Sequence, residues 1–231
     1  MPSKATAYRE LVRERKTCDA CKEHGLTNPA QCARGAFDSS EIGPWTRWQG
    51  NLDAQIMVVG QDWGDVAAFK RQWGKDEANS QTNTALSGFL SDIGFPIPLP
   101  SESEVGGLLF FTNAVLCLKT GNGGSQANVK SKCFHNCGRF LKRQIEIVNP
   151  KLVICLGTWA YETMSWAFDM KPLVFREVVN SHQPGVLPNG VPFFAVYHCS
   201  RRVLNGARKI KEQKRDWGFI AKWVRSKGII G

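Results

Sequence analysis

The sequence predicts a three-layer α/β/α fold, in which helices cover both faces of a central, mainly parallel sheet of about four to five strands. Three observations indicate this class. Short apolar runs rich in β-branched and aromatic residues recur along the chain, for example at residues 56–59 and 152–156. Segments with helical spacing of apolar residues alternate with these runs, as expected of parallel strands joined by helices. The length of 231 residues, 42% of them hydrophobic, suits a single domain over residues 1–231 with a sizeable core.

The first half of the chain is predicted to hold a helix, a cysteine-containing loop segment and the first strand. Residues 5–15 have the pattern of a short basic amphipathic helix. Residues from about 16 to 50 are rich in Gly, Pro, Cys and polar side chains, which predicts a loop that needs an anchor to be ordered. The first strand covers residues 54–59. Helical spacing follows at residues 63–74 and again at 82–92, before prolines break the pattern.

The second half alternates strands with helices. A helix from Cys133 to Val148 is expected to end at Asn149, because Pro150 cannot continue it. Another helix is expected to open after Gly157, and a long basic helix covers the C-terminal region at 203–226. The remaining strands are predicted at about 108–116, 151–156, 173–179 and 192–198.

The charge balance favours a polyanionic partner. The formal net charge is +10 and the pI is near 9.3, and such an excess attracts polyanions by steering and counterion release. A basic surface with no particular partner is the alternative. Clusters of Lys and Arg favour nucleic acid, and they lie at residues 139–143, 201–202, 208–211 and 214–215.

Nothing in the sequence predicts a membrane protein or a secreted one. No stretch approaches the roughly 18 to 20 apolar residues of a membrane span, and residues 1–15 are polar and charged. We therefore expect a cytoplasmic or otherwise intracellular protein with no membrane partner. In that compartment the eight cysteines favour metal or catalytic roles over disulfides.

Polar side chains follow three of the predicted strands. Asp62 comes directly after the first strand, Asn113 lies near the end of the second, and His198 ends the last. Because ligands bind at the carboxyl ends of strands in open α/β sheets, we expect a shared site there. A carboxylate, an amide and an imidazole suit the binding of a polar planar ring and assistance to bond cleavage. Taken singly, each residue is more often a turn or structural hydrogen-bonding residue.

These residues lie in motifs that resemble the uracil-DNA glycosylase superfamily. Gly60-Gln61-Asp62 is similar to its first motif, as found in the family 1 branch, and His198-Cys199-Ser200 is similar to its His-Pro-Ser motif with Cys in place of Pro. Residues 112–117 with 121–122, residues 137–145 and residues 150–157 resemble the iron–sulfur, family 4-like branch. The matches follow the family order over residues 56–204.

The resemblance implies roles for individual residues. Asp62 and His198 would be catalytic, with Asp62 stabilising a cation-like sugar and His198 the departing base. The flipped base would be bound by Gln61, Asn113 and Gly64, and Gly64 stands where the most uracil-restricted branch has a Tyr that blocks a base methyl. The resemblance does not decide which aromatic residue stacks on the base, and the candidates are Trp63, Phe69 and Trp73. DNA contacts would come from Ser200, Arg201, Arg202 and Leu204.

The cysteines form a second candidate site. Cys18 and Cys21 are a C-x₂-C pair, and Cys133 and Cys137 lie one helical turn apart. Four thiolates suit a [4Fe–4S] cluster or a structural zinc, and Cys32 with His24 offers an alternative zinc site. The resemblance implies a [4Fe–4S] cluster on Cys18, Cys21, Cys117 and Cys137, with Cys133 as the alternative fourth ligand.

The function that follows from the resemblance is that of a monofunctional DNA repair glycosylase. It would flip uracil out of single- or double-stranded DNA, with other deaminated or 5-substituted bases as further candidates, and leave an abasic site. The analogy implies a monomer. An alternative is a protein that binds uracil-DNA or traps it covalently with little turnover. A zinc module fused to a nucleotide-binding domain lacks support, because no Gly-rich phosphate loop follows the first strand.

Overall fold

A mostly parallel sheet forms the centre of the molecule. The structure is a computed structural model and describes residues 2–44, 48–49, 51–75, 80–97, 109–121 and 128–229. The strands in this part of the chain are β1 (Leu26–Thr27), β2 (Ile56–Asp62), β3 (Leu109–Val115), β4 (Leu118–Lys119), β5 (Leu152–Leu156), β6 (Gly185–Val186) and β7 (Pro192–Val196). The helices are α1 (Lys4–Thr17), α2 (Val66–Arg71), α3 (Gln81–Asp92), α4 (Ser131–Val148), α5 (Thr158–Ala167), α6 (Phe175–Ser181), α7 (Arg201–Leu204) and α8 (Ile210–Ser226).

The central sheet has the strand order β3-β2-β5-β7-β6 within the described residues. The first four of these strands run parallel, and β6 pairs antiparallel with β7 at the edge. The small strands β1 and β4 pair with each other outside this sheet. The predicted α/β class and mainly parallel sheet are therefore confirmed.

Helices cover both faces of the sheet. Successive residues of β2 alternate between two apolar clusters, with Met57 and Val59 in one and Ile56 and Val58 in the other. The first cluster is completed by α1, α4 and α5, and the second by α3 and α8. Because both faces are buried, residues 56–59 of β2 are continuously apolar rather than alternating in sequence.

The strand predicted at residues 173–179 is wrong. Residues 175–181 form helix α6, and the strand that joins this edge of the sheet is β6. Phe175, Val178 and Val179 share one helical face and pack on the core, because residues three and four apart are neighbours on a helix. A short apolar run fits both the repeat of a strand and the repeat of a helix, so its spacing alone led to the wrong prediction.

The N-terminal segment is tied to the fold by a buried guanidinium. Arg15, at the end of α1, donates hydrogen bonds to Oδ1 of Asp38 (2.7 Å) and to the carbonyl of Glu41 (2.7 Å). Asn28 adds a hydrogen bond from its side-chain amide to the carbonyl of Cys18 (2.9 Å). These contacts supply the anchor that the predicted loop requires. In the described residues no helix is long and apolar enough to cross a membrane.

Candidate active site

Asp62, Asn113 and His198 gather at one edge of the sheet, as predicted. Asp62 is the last residue of β2, Asn113 lies on the neighbouring β3 with Gly60 as its register partner, and His198 follows the end of β7. Asn113 is buried. The Asp62 carboxylate is close enough to His198 to raise the pKa of that imidazole, although burial lowers it more. The parallel register thus brings together residues that are far apart in sequence.

The Asp62 carboxylate is fixed by donors on both of its oxygens. Oδ1 accepts hydrogen bonds from the backbone N–H of Gly64 (2.9 Å) and pairs with Nζ of Lys119 (2.7 Å). Oδ2 accepts a hydrogen bond from Nε2 of Gln61 (2.9 Å). The side chains of Lys119 and Asp62 are 6% and 8% exposed, so the pair is almost fully buried. The carboxylate therefore has one defined orientation.

The sequence analysis missed Lys119. It is the second residue of β4, shortly after the strand that was predicted at about 108–116. Its position beside Asp62 follows from pairing over a long sequence separation, since its backbone N–H donates to the carbonyl of Gly64 (3.0 Å). The one hint in the sequence was that Lys119 follows closely after the strand that carries Asn113.

The His198 ring has a defined role as a donor. The backbone N–H of Ser200 donates to Nδ1 of His198 (3.1 Å), so the ring proton is placed on Nε2. Burial lowers the pKa of His198, and the nearby Asp62 carboxylate only partly offsets this. The imidazole is therefore neutral near pH 7 and presents an N–H group. Nε2 of Gln213, on α8, supports this loop by donating to the carbonyl of His198 (3.2 Å).

Two features characterise Gly64, namely its backbone conformation and the space around it. Its φ is +91°, a left-handed value that favours glycine. A Cβ at this position would meet no atom of the described residues within 4 Å. The site is thus open where a blocking side chain would stand, while the Gly64 N–H orients Asp62.

The three candidate stacking aromatics have different surroundings. Phe69 is buried in a small cluster with Cys32 and Leu118, which leaves it no face for a base. Trp63 is half-buried and packs edge-on against Phe111, with ring centroids 5.6 Å apart. Trp73 is 72% exposed and has a positive φ of 56°. Trp73 therefore offers the most ring surface to a ligand.

The predicted DNA-binding loop forms helix α7, with Ser200 at its N-cap position. Arg201 and Arg202 are exposed, while Leu204 is half-buried against the apolar cluster of α3 and α8. Arg208 anchors the end of this loop through a bidentate contact with Asp216, at 2.8 and 2.6 Å. Asp216 also raises the pKa of Arg208. The guanidinium groups at residues 201–202 are thus available to an anionic partner.

The cysteines predicted as ligands converge between the N-terminal segment and α4. Cys21 is in hydrogen-bond contact with Cys137 and Cys133, and Cys117 and Cys18 are near enough to influence one another. The contact with Cys137 lowers the pKa of Cys21 to about 6, whereas burial raises the pKa of Cys117 to about 12. The soft thiolate chemistry of this donor set suits an iron–sulfur cluster or zinc.

The thiols and their neighbours can be described residue by residue. Within the described ranges, no group of three or more His, Cys, Asp or Glu side chains is placed to hold a metal ion. All eight cysteines are free. Cys32 packs in the separate cluster with Phe69. Polar neighbours nevertheless face the thiols, because Asn136 Nδ2 lies 3.6 Å from Cys21 Sγ and an Arg139 nitrogen lies 3.6 Å from Cys18 Sγ.

The structure is an α/β protein with polar residues at the carboxyl ends of parallel strands, where this class of protein binds ligands, and comparison with known proteins identifies the family. The family model described as the Uracil DNA glycosylase superfamily matches residues 48–221, and the chain belongs to that superfamily. It is similar to the Type-5 uracil-DNA glycosylase of Pyrobaculum aerophilum, with 26% identity over 199 residues. That match covers 79% of this chain and 83% of the relative.

Proposed function

We propose that this protein removes uracil from DNA by hydrolysing the N-glycosidic bond, and that it leaves an abasic site. The observation that carries the proposal is the convergence of a fixed carboxylate (Asp62), a buried amide (Asn113) and a neutral imidazole (His198) at one edge of the sheet. Family membership and a net charge of +10 support DNA as the substrate. By analogy with the family, we propose that it acts as a monomer.

Asn113 and His198 would recognise the flipped base. The amide of Asn113 has an acceptor oxygen and donor nitrogen that match a ring N–H and an exocyclic oxygen of uracil. His198 would donate its Nε2–H to the carbonyl oxygen of the base on which negative charge grows as the bond breaks. The backbone N–H of Gln61 would hold the same oxygen, while its side chain remains bonded to Asp62 (2.9 Å).

Asp62 would act on the sugar and the attacking water. A carboxylate stabilises a cation-like sugar, as at other glycosidic centres, and orients the water that attacks it. Its Oδ2 has the spare acceptor capacity for this task, because Oδ1 already accepts two contacts in the described structure. The open space at Gly64 favours a pocket that also admits thymine or other 5-substituted pyrimidines.

Arg201 and Arg202 would hold the DNA backbone. Both are exposed at the start of α7, directly after the loop that carries His198. Guanidinium groups bind phosphates in a bidentate manner, and such contacts set the register of a protein on DNA. Leu204 would fill space vacated in the duplex, which requires it to leave its present packing against the core.

We further propose that the clustered thiols bind a [4Fe–4S] cluster, as in the iron–sulfur branch, with a structural zinc as the alternative. Cys18, Cys21 and Cys117 would be ligands, and Cys137 or Cys133 would be the fourth. Hydrolysis of the glycosidic bond needs no redox step. The bound group would therefore serve as a structural cross-link between the N-terminal segment and α4. Analysis of iron, acid-labile sulfide and zinc in the purified protein decides between the two.

Base release tests the proposed function. Labelled single- and double-stranded oligonucleotides, each with one uracil, thymine mismatch or hypoxanthine, are treated with protein and then with alkali to reveal abasic sites. We expect release of uracil by the wild type and much slower release by His198→Ala. Tight binding without release, or a heat-stable species that contains both protein and DNA, would favour the binding or trapping function instead.

A further inference from the structure

We propose that Lys119 is a positioning residue for glycosidic cleavage, which fixes the orientation of the Asp62 carboxylate. This inference rests on the proposed function. It starts from the ion pair between Lys119 Nζ and Asp62 Oδ1 (2.7 Å), whose partners are 6% and 8% exposed. Burying two charges costs a desolvation free energy on the order of what their attraction returns, so such a pair is weak evidence for a role in stability. A role at the site explains it better.

The hydrogen bonds around Asp62 assign different tasks to its oxygens. Oδ1 accepts from both Lys119 and the Gly64 N–H, which uses its two lone pairs. Oδ2 accepts only from Gln61 among the described residues and keeps one lone pair. Lys119 thus directs Oδ2, rather than Oδ1, toward substrate or water.

The main chain of Lys119 is held from two sides. On the side of the site, its N–H donates to the Gly64 carbonyl (3.0 Å), and residue 119 forms a β-bridge with Asp65. On the other side, Lys119 is the register partner of Leu26, and the N–H of Thr120 donates to the Gly25 carbonyl (3.0 Å). The lysine therefore occupies a rigid strand rather than a loop, which a positioning residue requires.

Lys119 connects the cysteine-containing segment to the catalytic carboxylate. Leu26 follows Cys21 closely, and the N–H of Leu26 donates to the Cys21 carbonyl (3.3 Å). Strand β1 then pairs with β4, which carries Lys119. Order in the N-terminal segment is thereby transmitted to the geometry of Asp62.

Removal of the lysine charge should slow cleavage and leave DNA binding intact. In Lys119→Met a side chain of similar length remains, but the buried carboxylate loses its cation and one of its two anchors on Oδ1. We expect the single-turnover rate of uracil release to fall about 100-fold, because a small misplacement of a reacting group has an effect of that order. Lys119→Arg keeps the charge and should recover most of the rate.

Three measurements separate positioning from mere structure. The Kd for an oligonucleotide with 2′-fluoro-deoxyuridine, whose glycosidic bond resists cleavage, should be the same for wild type and Lys119→Met. The thermal midpoint reports folding, and Lys4→Met, at an exposed pair outside the site, is the control. In the Asp62→Asn background, Lys119→Met should add no further loss of rate, because it acts through Asp62.

The outcomes are distinguishable. An unchanged rate in Lys119→Met beside a slow Asp62→Asn overturns the role of Lys119 and leaves the proposed function standing. Equal losses of rate, DNA affinity and thermal midpoint, or an additive loss in the double variant, would also contradict positioning. Failure of the wild type to release uracil overturns both proposals.

Discussion

The side-chain oxygen of Asn113 occupies the position that a side chain at residue 60 would take, so Asn113 can be placed there only because residue 60 is glycine. A Cβ built on Gly60 would collide with Asn113 Oδ1. The two residues are register partners on β2 and β3. The absence of a side chain at residue 60 therefore lets the Asn113 amide sit at the sheet edge.

Gly60→Ala should displace the Asn113 amide. We expect a large loss of uracil release, and a stability cost of about 1–3 kcal/mol from overpacking. Rate and thermal unfolding are measured together. Gly88→Ala on helix α3 is the control, since a Cβ there meets no atom within 4 Å in the part of the chain that the structure describes. Alanine should stabilise this helix by about 0.5–1 kcal/mol. A Gly60→Ala enzyme with wild-type rate would contradict the role of Asn113.

The lowered pKa of His198 predicts that the rate of uracil release falls at acid pH. Its pKa lies below the usual 6.5 because burial disfavours the charged imidazolium. The rate should be constant from about pH 8 down to 6.5 and fall only at lower pH, where protonated Nδ1 would face the Ser200 N–H. The unfolded chain takes up this proton first, so His198 stabilises the fold above pH 6.5 and loses that contribution as pH falls through the lowered pKa.

Rates of wild type and His198→Asn across this range check the assignment. The variant should be slower at every pH and should lack this fall at acid pH. A wild-type rate that already declines between about pH 8 and 7 would contradict a lowered pKa at His198.

Replacement of Arg201 and Arg202 by Ala should weaken binding of all DNA sequences alike. Each lost phosphate contact reduces the slope of log Kd against log salt by about 1, because fewer counterions are released. Fluorescence anisotropy over a salt series measures this slope. Lys171→Ala, outside the site region, is the control. An unchanged slope in the double variant would place the DNA elsewhere.

Two cysteine variants should differ in their metal content. If the fourth ligand is Cys137, Cys137→Ser loses iron while Cys133→Ser retains it, and the reverse holds if the ligand is Cys133. Cys21→Ser should lose iron in either case, and Cys32→Ala, in the separate cluster with Phe69, should not. Iron content and visible absorbance of freshly purified protein give the answer. Stoichiometric zinc in colourless wild type would remove the iron–sulfur proposal.

The fold and the strand-end residues were predictable because each depends on local sequence. The apolar run before Asp62 defines β2, and parallel pairing then places strand ends at one edge. Asn149, with a φ of 52°, ends α4 where Pro150 predicted it. These features need only the period of the apolar residues and the chemistry of proline and asparagine.

Lys119 and α6 were not predictable for the opposite reason. The pairing of Lys119 with Asp62 depends on the contacts of residue 119 with Gly64 and Asp65, which are distant in sequence. The apolar residues of α6 fit a strand or a helix equally well until their packing on β7 is known. The tautomer of His198 likewise follows from a backbone group, that of Ser200, which no side-chain pattern encodes.

The most direct test of the central claim is the single-turnover release of free uracil by wild type, Asp62→Asn and Asp169→Asn. Asp169 is 90% exposed and lies outside the site, so its variant controls for the loss of one carboxylate. We predict rapid release by the wild type and Asp169→Asn, and a rate at least about 100-fold lower for Asp62→Asn with DNA binding retained. Release by Asp62→Asn at the wild-type rate would contradict the assignment of Asp62, and no release by any of the three proteins would contradict the proposed function.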